Sequence, residues 1–464
     1  MFITTLENKT IHFIGIAGSG MIGLAQALVD KGHCHVSGSD LNQSDAIDRL
    51  IEKGITFYNT HLSSQVKNVD IIVISSAIPK DNPEWVEGVS QEKTIYHRAE
   101  FLGHLMGDFS KRLIIAGTHG KTTTTGMMIS VFHEAGLSPS FNVGGQLNPH
   151  LVNGLYSGEN PFIAESDESD GTFLIFQPTH AILTNIEADH MSYFQSKERL
   201  YQHFDSFISN ILEHDGLIIA NNDDPWIGRQ KKMLQHPNML TYSTFQQATC
   251  RAENITYNEK GSHFDLYFKD TFVETIHLNL FGLHNIYNAL SVSCLCLKYG
   301  LSVNNIQKGL LNFFGVQRRL QLVEEIKGIR IYDDYGHHPT EINTTLKGIK
   351  TSLNRPLTCI FQPHRYSRTS ELIDDFSNSF EHADNIIITS IYSANETPIE
   401  GVSSQHLVDL IKSKSKKNIY FIEDKVDIIP FLSPKLSSGD VVITMGAGDI
   451  NLILDPLILK LKEG

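Results

Sequence analysis

The chain has 464 residues, 41% hydrophobic and 19% charged, which is enough apolar material for roughly three globular domains with full cores. A net charge of −14 argues against a nucleic-acid partner, because a phosphate backbone needs a basic surface, and no apolar run is long enough to insert in a membrane. Five scattered cysteines (Cys34, Cys250, Cys294, Cys296 and Cys359) read as reduced thiols, and the N-terminus has neither the basic flank nor the apolar stretch of a signal peptide, so the chain is expected in the cytoplasm.

Apolar runs alternate with amphipathic stretches throughout, the pattern of an α/β protein built on parallel sheets. The first block, residues 1–107, reads as strands at 11–15, 34–38 and 70–75, with a helix from Met21 to Lys31. Between its first strand and helix lie Gly15, Ala17, Gly18, Ser19, Gly20 and Met21, and Gly23 completes a G-x-G-x-x-G spacing. Asp40 ends the next strand. This pattern selects a pyrophosphate and a ribose, so it fits a nicotinamide dinucleotide, and an oxidoreductase, as readily as a uridine diphosphate sugar.

The second block, residues 108–315, opens with the strand Leu113–Ala116 and the segment Gly117-Thr118-His119-Gly120-Lys121-Thr122. A helix follows, with Met127, Met128, Val131 and Phe132 at helical spacing and a stop at Gly136. Glycines let backbone N–H groups close on phosphate oxygens, a lysine reaches the β- and γ-phosphates, and a threonine hydroxyl ligates Mg²⁺. The general pattern places a glycine at position 115, where this chain has Ile115. Two further strands run into acidic segments: one into Glu165, Asp167, Glu168 and Asp170, the other into Asn185 through His190. In an open parallel sheet both should arrive beside the phosphate loop, so Glu165 and His190 join Thr122 as candidate metal ligands, while Asp170 reads as solvated.

The third block, residues 316–464, reads as strands at 329–333, 357–361, 386–391, 419–422 and 441–445. Arg319 stands at the joint, where it can serve an ATP phosphate. Asp333 and Asp334 precede Tyr335-Gly336-His337-His338-Pro339, with the proline placed to start a helix. The strand at 357–361 runs into His364, Arg365 and Arg368. Arginine forks pair with both oxygens of a carboxylate, and a histidine near neutrality can act as a base, with Asp333 or Asp334 available to orient it. The lysines from 412 to 417 read as a solvated helix end.

Taken together, Gly15–Gly23, Gly117–Thr125, Glu165–Asp170, Asn185–His190, Gly282–Ala289, Asp333–Thr340 and Phe361–Thr369 resemble the Mur ligases over nearly the whole length. The resemblance implies three domains: a Rossmann-like UDP-sugar domain, a central ATPase-like domain and a C-terminal Rossmann-like domain. It also implies an ATP-dependent ligation through an acyl phosphate in peptidoglycan precursor synthesis. It assigns Gly15, Ala17, Gly18, Ser19, Gly20, Met21, Asp40, Ser76, His97 and Arg98 to the UDP-sugar. To ATP it assigns the loop through Thr123, His284, Asn285 and Asn288 at the adenine, and Arg319 and Asp334. His338, His364, Arg365 and Arg368 fall to the amino acid, and Lys121, Glu165, His190, Arg319 and His338 form the catalytic set, with Mg²⁺ on Thr122, Glu165 and His190. Segment Phe361–Thr369 is closer to the branch that adds L-alanine to UDP-N-acetylmuramate than to the one that attaches a tripeptide to it.

Overall fold

The structure is a computed structural model that describes residues 2–32, 34–148, 152–169 and 171–463. Asp170 lies outside the described residues. No helix among the described residues is long and apolar enough to cross a membrane. The chain forms three sheets and clusters into two compact units.

One unit comprises Met1–Ile255, Phe264–His277 and Ile286–Val316 and holds the first sheet and most of the second. The first sheet consists of β1 (Thr10–Ile14), β2 (His35–Ser39), β3 (Thr56–Tyr58), β4 (Ile71–Ile74) and β5 (Thr94–His97). Its order is β3-β2-β1-β4-β5 and every pairing is parallel. The second sheet has ten strands. They are β6 (Arg112–Ala116), β7 (Ser140–Leu147), β8 (Val152–Leu155), β9 (Phe162–Glu165), β10 (His180–Leu183), β11 (Leu217–Asn221), β12 (Met239–Ser243), β13 (Cys250–Asn258), β14 (Gly261–Phe268) and β15 (Thr271–Leu278). Strand β6 lies between β9 and β10, parallel to both. Leu113, Ile114, Ile115 and Ala116 are all buried, as a strand covered on both faces requires.

The two sheets of this unit share one hydrophobic core, in which Phe13 and Phe101 of the first block join Ile114, Phe162 and Phe173 of the second. Helix Ser19–Lys31 runs against the β7–β8 segment at glycines. A Cβ on Gly23 would lie 2.7 Å from the Asn153 carbonyl oxygen, and one on Gly154 would lie 2.1 Å from that of Gly23. The last glycine of the G-x-G-x-x-G pattern therefore serves close backbone packing between the two blocks.

The other unit comprises Thr256–His263, Leu278–Asn285 and Gln317–Gly464. Its sheet is built from β16 (Gln321–Ile326), β17 (Ile329–Asp334), β18 (Leu357–Phe361), β19 (Asn385–Ile388), β20 (Asn418–Phe421) and β21 (Val441–Met445), in the order β16-β17-β21-β18-β19-β20. Helices Pro339–Leu353 and Ser404–Lys414 cover one face and helix Leu454–Glu463 the other.

The sheets are parallel-rich, as expected, with antiparallel pairs where β7 meets β8 and β16 meets β17. Both pairs close through connections too short for a crossover helix, which only an antiparallel pair allows. The lysine run departs from a solvated helix end: Lys412 and Lys414 are exposed, but Lys417 donates to the carbonyls of Glu381 and Ala383.

Candidate active site

The candidate phosphate loop, Gly117–Thr122, packs closely on Thr184 and Asn185. Gly117 has φ +133°, and a Cβ there would lie 2.1 Å from Thr184 Oγ1 and 2.8 Å from the Asn185 carbonyl oxygen. Thr118 N–H donates to that same Asn185 oxygen at 2.9 Å. His119 N–H donates to Asn185 Oδ1 at 2.9 Å, and Asn185 Nδ2 returns a bond to the His119 carbonyl at 3.1 Å. Behind this segment, Asn221 Nδ2 donates to the Thr184 carbonyl and Asp224 Oδ2 accepts from Ile186 N–H. Sequence reasoning missed Asn221 and Asp224, although Asn-Asn-Asp-Asp-Pro directly after a strand is a signal for such a turn. Position 115 still lies inside β6, paired with Ile182 and Glu165, so the loop begins at Gly117 and a glycine at 115 has no part in it.

Helix Lys121–Glu134 starts at Gly120, whose φ is +84° and whose Cβ would lie 2.7 Å from Asn288 Oδ1. Asn288, expected at the adenine, thus has its amide against the back of the loop, and Thr123 lies in the first turn of the helix. The Lys121 ammonium donates to the carbonyls of Gly117 (2.6 Å) and Thr118 (3.0 Å) and to Glu168 Oε2 (2.7 Å). Burial works against this charge. The carboxylate of Glu168, helped by Asp167 and Glu165, outweighs burial and raises the lysine above its ordinary pKa.

Parallel pairing brings the ends of β6, β9 and β10 to one edge, as the sequence implied. There the Thr122 hydroxyl donates to Glu165 Oε2 at 2.8 Å, and Glu165 Oε1 accepts from Gly144 N–H. Adjacent ligand positions on an octahedral Mg²⁺ with bonds of about 2.1 Å are about 3.0 Å apart, close to the spacing of this pair of oxygens. The His190 imidazole sits beside Glu168 (3.8 Å) and Asp189 (3.7 Å). Glu168 is buried, so this acidic stretch is no solvated loop at that position.

The glycine loop of the first block lies in the same unit. Gly15 N–H and Ile16 N–H donate to the Ser39 carbonyl, and Ala17 N–H donates to Asp40 Oδ2 at 3.0 Å. Gly18 caps helix Ser19–Lys31, so Ser19 and Gly20 present the first N–H groups of that helix, while Met21 N–H turns back to the Gly18 carbonyl at 2.8 Å. A Cβ on Gly20 would lie 2.7 Å from Arg98 Nη1. Arg98 Nη2 in turn donates to Asp167 Oδ2 at 3.0 Å, joining the first block to the acidic stretch of the second. Ser76 Oγ and His97 Nε2 are 3.1 Å apart, and His97 caps the helix that Arg98 begins.

The remaining candidates lie in the other unit. His338 caps helix Pro339–Leu353: its Nδ1 accepts from Thr340 N–H at 3.3 Å, which puts the ring proton on Nε2. His337 Nδ1 faces the Tyr335 carbonyl at 3.1 Å and must donate to it, leaving a lone pair on Nε2. Burial first, then the positive charge of Arg368, pushes the His337 pKa down to about 4, with Glu341 opposing. His364 lies at about 3, by burial and then its neighbours His337, Arg368 and Arg365; its Nδ1 accepts from Arg368 Nη1 at 3.2 Å and its ring stacks on Tyr392. Arg365 has φ +71° and starts the short helix Tyr366–Glu371, whose Ser367 is held by Glu396. Arg319 pairs with Glu341 at 3.5 Å. His284 is pushed down to about 4 by burial, and Asn285 Nδ2 donates to the Phe281 carbonyl.

Neither aspartate of this unit orients a histidine, contrary to expectation. Asp333 pairs with Arg318 and accepts from Thr444 Oγ1, while Asp334, pushed up to about 6 by burial, accepts from Leu320 N–H and Gly336 N–H. Glu341 instead holds the main chain of this turn, accepting from the backbone N–H groups of His337 (3.0 Å) and His338 (3.2 Å). Its position three residues after the capping histidine is a sequence signal for this.

Three family models match the chain: the Mur ligase family catalytic domain over residues 10–110, the Mur ligase middle domain over 115–296, and the Mur ligase glutamate ligase domain over 318–448. The UDP-N-acetylmuramate–L-alanine ligase of Clostridium acetobutylicum is 40% identical over 458 residues, 98% of each chain, and that of Geotalea daltonii is 38% identical over 455 residues, 98% of each. Among solved structures, the UDP-N-acetylmuramate-alanine ligase of Thermotoga maritima superposes with a TM-score of 0.84 at 25% identity, covering 98% of this chain and 100% of its own. The murein peptide ligase of Psychrobacter arcticus shares the fold, with a TM-score of 0.70 at 24% identity over 98% of this chain and 99% of its own.

Proposed function

The chain belongs to the Mur ligase family, and we propose that it joins L-alanine to the carboxylate of UDP-N-acetylmuramate at the expense of ATP, as a cytoplasmic enzyme of peptidoglycan precursor synthesis. The observation that carries this reading is the meeting, at one sheet edge, of the phosphate loop with the Thr122–Glu165 oxygen pair, in a chain matched along its length by alanine ligases.

A carboxylate resists attack by an amine, so it must first be activated. The muramate carboxylate attacks the ATP γ-phosphorus, ADP leaves, and an acyl phosphate forms. The alanine nitrogen then attacks the acyl carbon and inorganic phosphate departs. Charge neutralisation and positioning carry the phosphoryl step. The backbone N–H groups of Gly120 and Lys121 at the helix start and the Lys121 ammonium hold the phosphates, while Asn185 keeps those of Thr118 and His119. Thr122 and Glu165, with His190, would hold Mg²⁺, which supplies positive charge between phosphate oxygens. Gly15 through Met21 cradle the sugar diphosphate, with Arg98 beside them, and Asp40 takes the ribose. Arg365 and Arg368 bind the alanine carboxylate.

The amine must lose a proton to react. His337 is neutral at pH 7 with its lone pair on Nε2, whereas the Nε2 of His338 carries a proton. His337 is therefore the base, and His338 contributes a hydrogen-bond donor.

The test is phosphate release from ATP with UDP-N-acetylmuramate and, in turn, L-alanine, the cell-wall tripeptide, or no amine. Release that depends on L-alanine is expected. Release with the tripeptide and none with alanine would overturn the assignment.

A further inference from the structure

Two adjacent carboxylates hold the two cations on which substrate recognition turns. An ammonium has three hydrogens, and those of Lys121 are all engaged, two by loop carbonyls and one by Glu168. No phosphate oxygen can be contacted until one of these bonds is given up. Glu168 is the one charged partner, and its side chain is only 4% exposed, so water weakens the pair little. One residue earlier, Asp167 accepts from Arg98, whose guanidinium fills the space over Gly20 where a diphosphate would approach the helix start. Burial pushes the Asp167 pKa up, but Arg98 outweighs it and holds the carboxyl below the usual range. Ser169 N–H braces Asp167 from behind, fixing the turn that carries both side chains.

We propose that Asp167 and Glu168 are positioning residues that compete with the substrates' anionic groups for the same cations, Arg98 for the sugar diphosphate and Lys121 for the ATP phosphates. This rests on the ligase reading above, in which those cations meet those anions. Each carboxylate keeps its cation ordered and oriented, and the arriving phosphate takes the cation over. The cost is affinity: part of the ATP binding energy goes into displacing the buried Lys121–Glu168 pair, and a smaller part of the sugar diphosphate's into displacing the Arg98–Asp167 pair, whose carboxylate is 45% exposed.

The predicted sign is unlike that of a structural or metal-binding residue, whose loss weakens binding. ATP affinity is measured by calorimetry without Mg²⁺, so that only the protein's own charges act. Glu168→Gln should bind ATP about tenfold tighter than the natural chain, the scale of one charge–charge contact in a half-buried site. Lys121→Met alone should weaken ATP, and adding Glu168→Gln to it should change nothing further. Asp167→Asn should tighten UDP-N-acetylmuramate. If Glu168→Gln unfolds, Glu168→Asp, one methylene short of Lys121, should give a smaller change of the same sign. Weaker or unchanged ATP binding in the folded Glu168 variant overturns the proposal while leaving the ligase reading intact. Natural ATP affinity in Lys121→Met would instead remove the phosphate-loop assignment itself.

Discussion

Replacing Gly117 by alanine probes how far the loop's shape depends on its neighbours. A residue with a side chain at φ +133° is strained by on the order of 1–3 kcal/mol before any contact is counted. The new Cβ would then stand 2.1 Å from Thr184 Oγ1, 2.8 Å from the Asn185 carbonyl oxygen and 3.1 Å from its nitrogen. The hydroxyl can rotate, but Asn185 cannot shift without loosening the bond that Thr118 N–H makes to its carbonyl and the one that His119 N–H makes to its Oδ1, each worth about 0.5–1.5 kcal/mol. The total comes to about 2–6 kcal/mol, a large share of the roughly 5–15 kcal/mol that holds a domain folded. Gly136 is the control. Its φ is +74° and nothing lies within 4 Å of its Cβ position, so alanine there should cost about 1–2 kcal/mol from the left-handed backbone alone. Urea unfolding of both variants, with the KM for ATP, separates the two effects. Gly117→Ala should lower the urea midpoint well below that of Gly136→Ala and raise the KM. Equal midpoints with an unchanged KM would refute the argument.

Other substitutions test other links. Ile115→Gly, which restores the general loop pattern, should cost about 3–5 kcal/mol by emptying a buried strand position and should not tighten ATP; a stable variant with better ATP binding would contradict that. Lys121→Ala should abolish phosphate release, and normal turnover would speak against its role. Arg365→Ala should raise the alanine KM far more than it lowers kcat, which steady-state kinetics across alanine concentrations will show. Histidines 284, 337 and 364 have folded pKa values of about 4, 4 and 3, depressed chiefly by burial from an ordinary value near 6.5. Between those limits the unfolded chain binds more protons, so their contribution is complete above about pH 6.5 and is lost as pH falls toward 4. Asp334, raised to about 6 by burial, offsets this in part. The urea midpoint should drop between pH 7 and pH 5, and His337→Gln should flatten the drop; a midpoint that rises would reverse the sign.

The strands legible in the sequence are those buried on both faces, because they read as unbroken apolar runs. Leu113–Ala116 and Val441–Met445 are examples, and their ends fall within a residue of expectation. Strands β3, β5, β8 and β16 were not legible, because they are short or half-polar and owe their pairing to a neighbour. The turn from Gly117 to Gly120, between strand and helix, was readable because its glycines and the helix start lie within six residues. Glu168 was not, since its burial follows from Lys121, which is 47 positions away. Nor could the sequence choose between His337 and His338, because that choice depends on which ring nitrogen the Tyr335 carbonyl and the Thr340 N–H each engage.

The central claim is that ATP is spent on an acyl phosphate of the muramate carboxylate. It is tested most directly by labelling that carboxylate with ¹⁸O and following the label by mass spectrometry of the released phosphate. One labelled oxygen should appear in each phosphate formed in the presence of ATP and L-alanine. Phosphate free of label, with the alanine adduct still produced, would contradict the account.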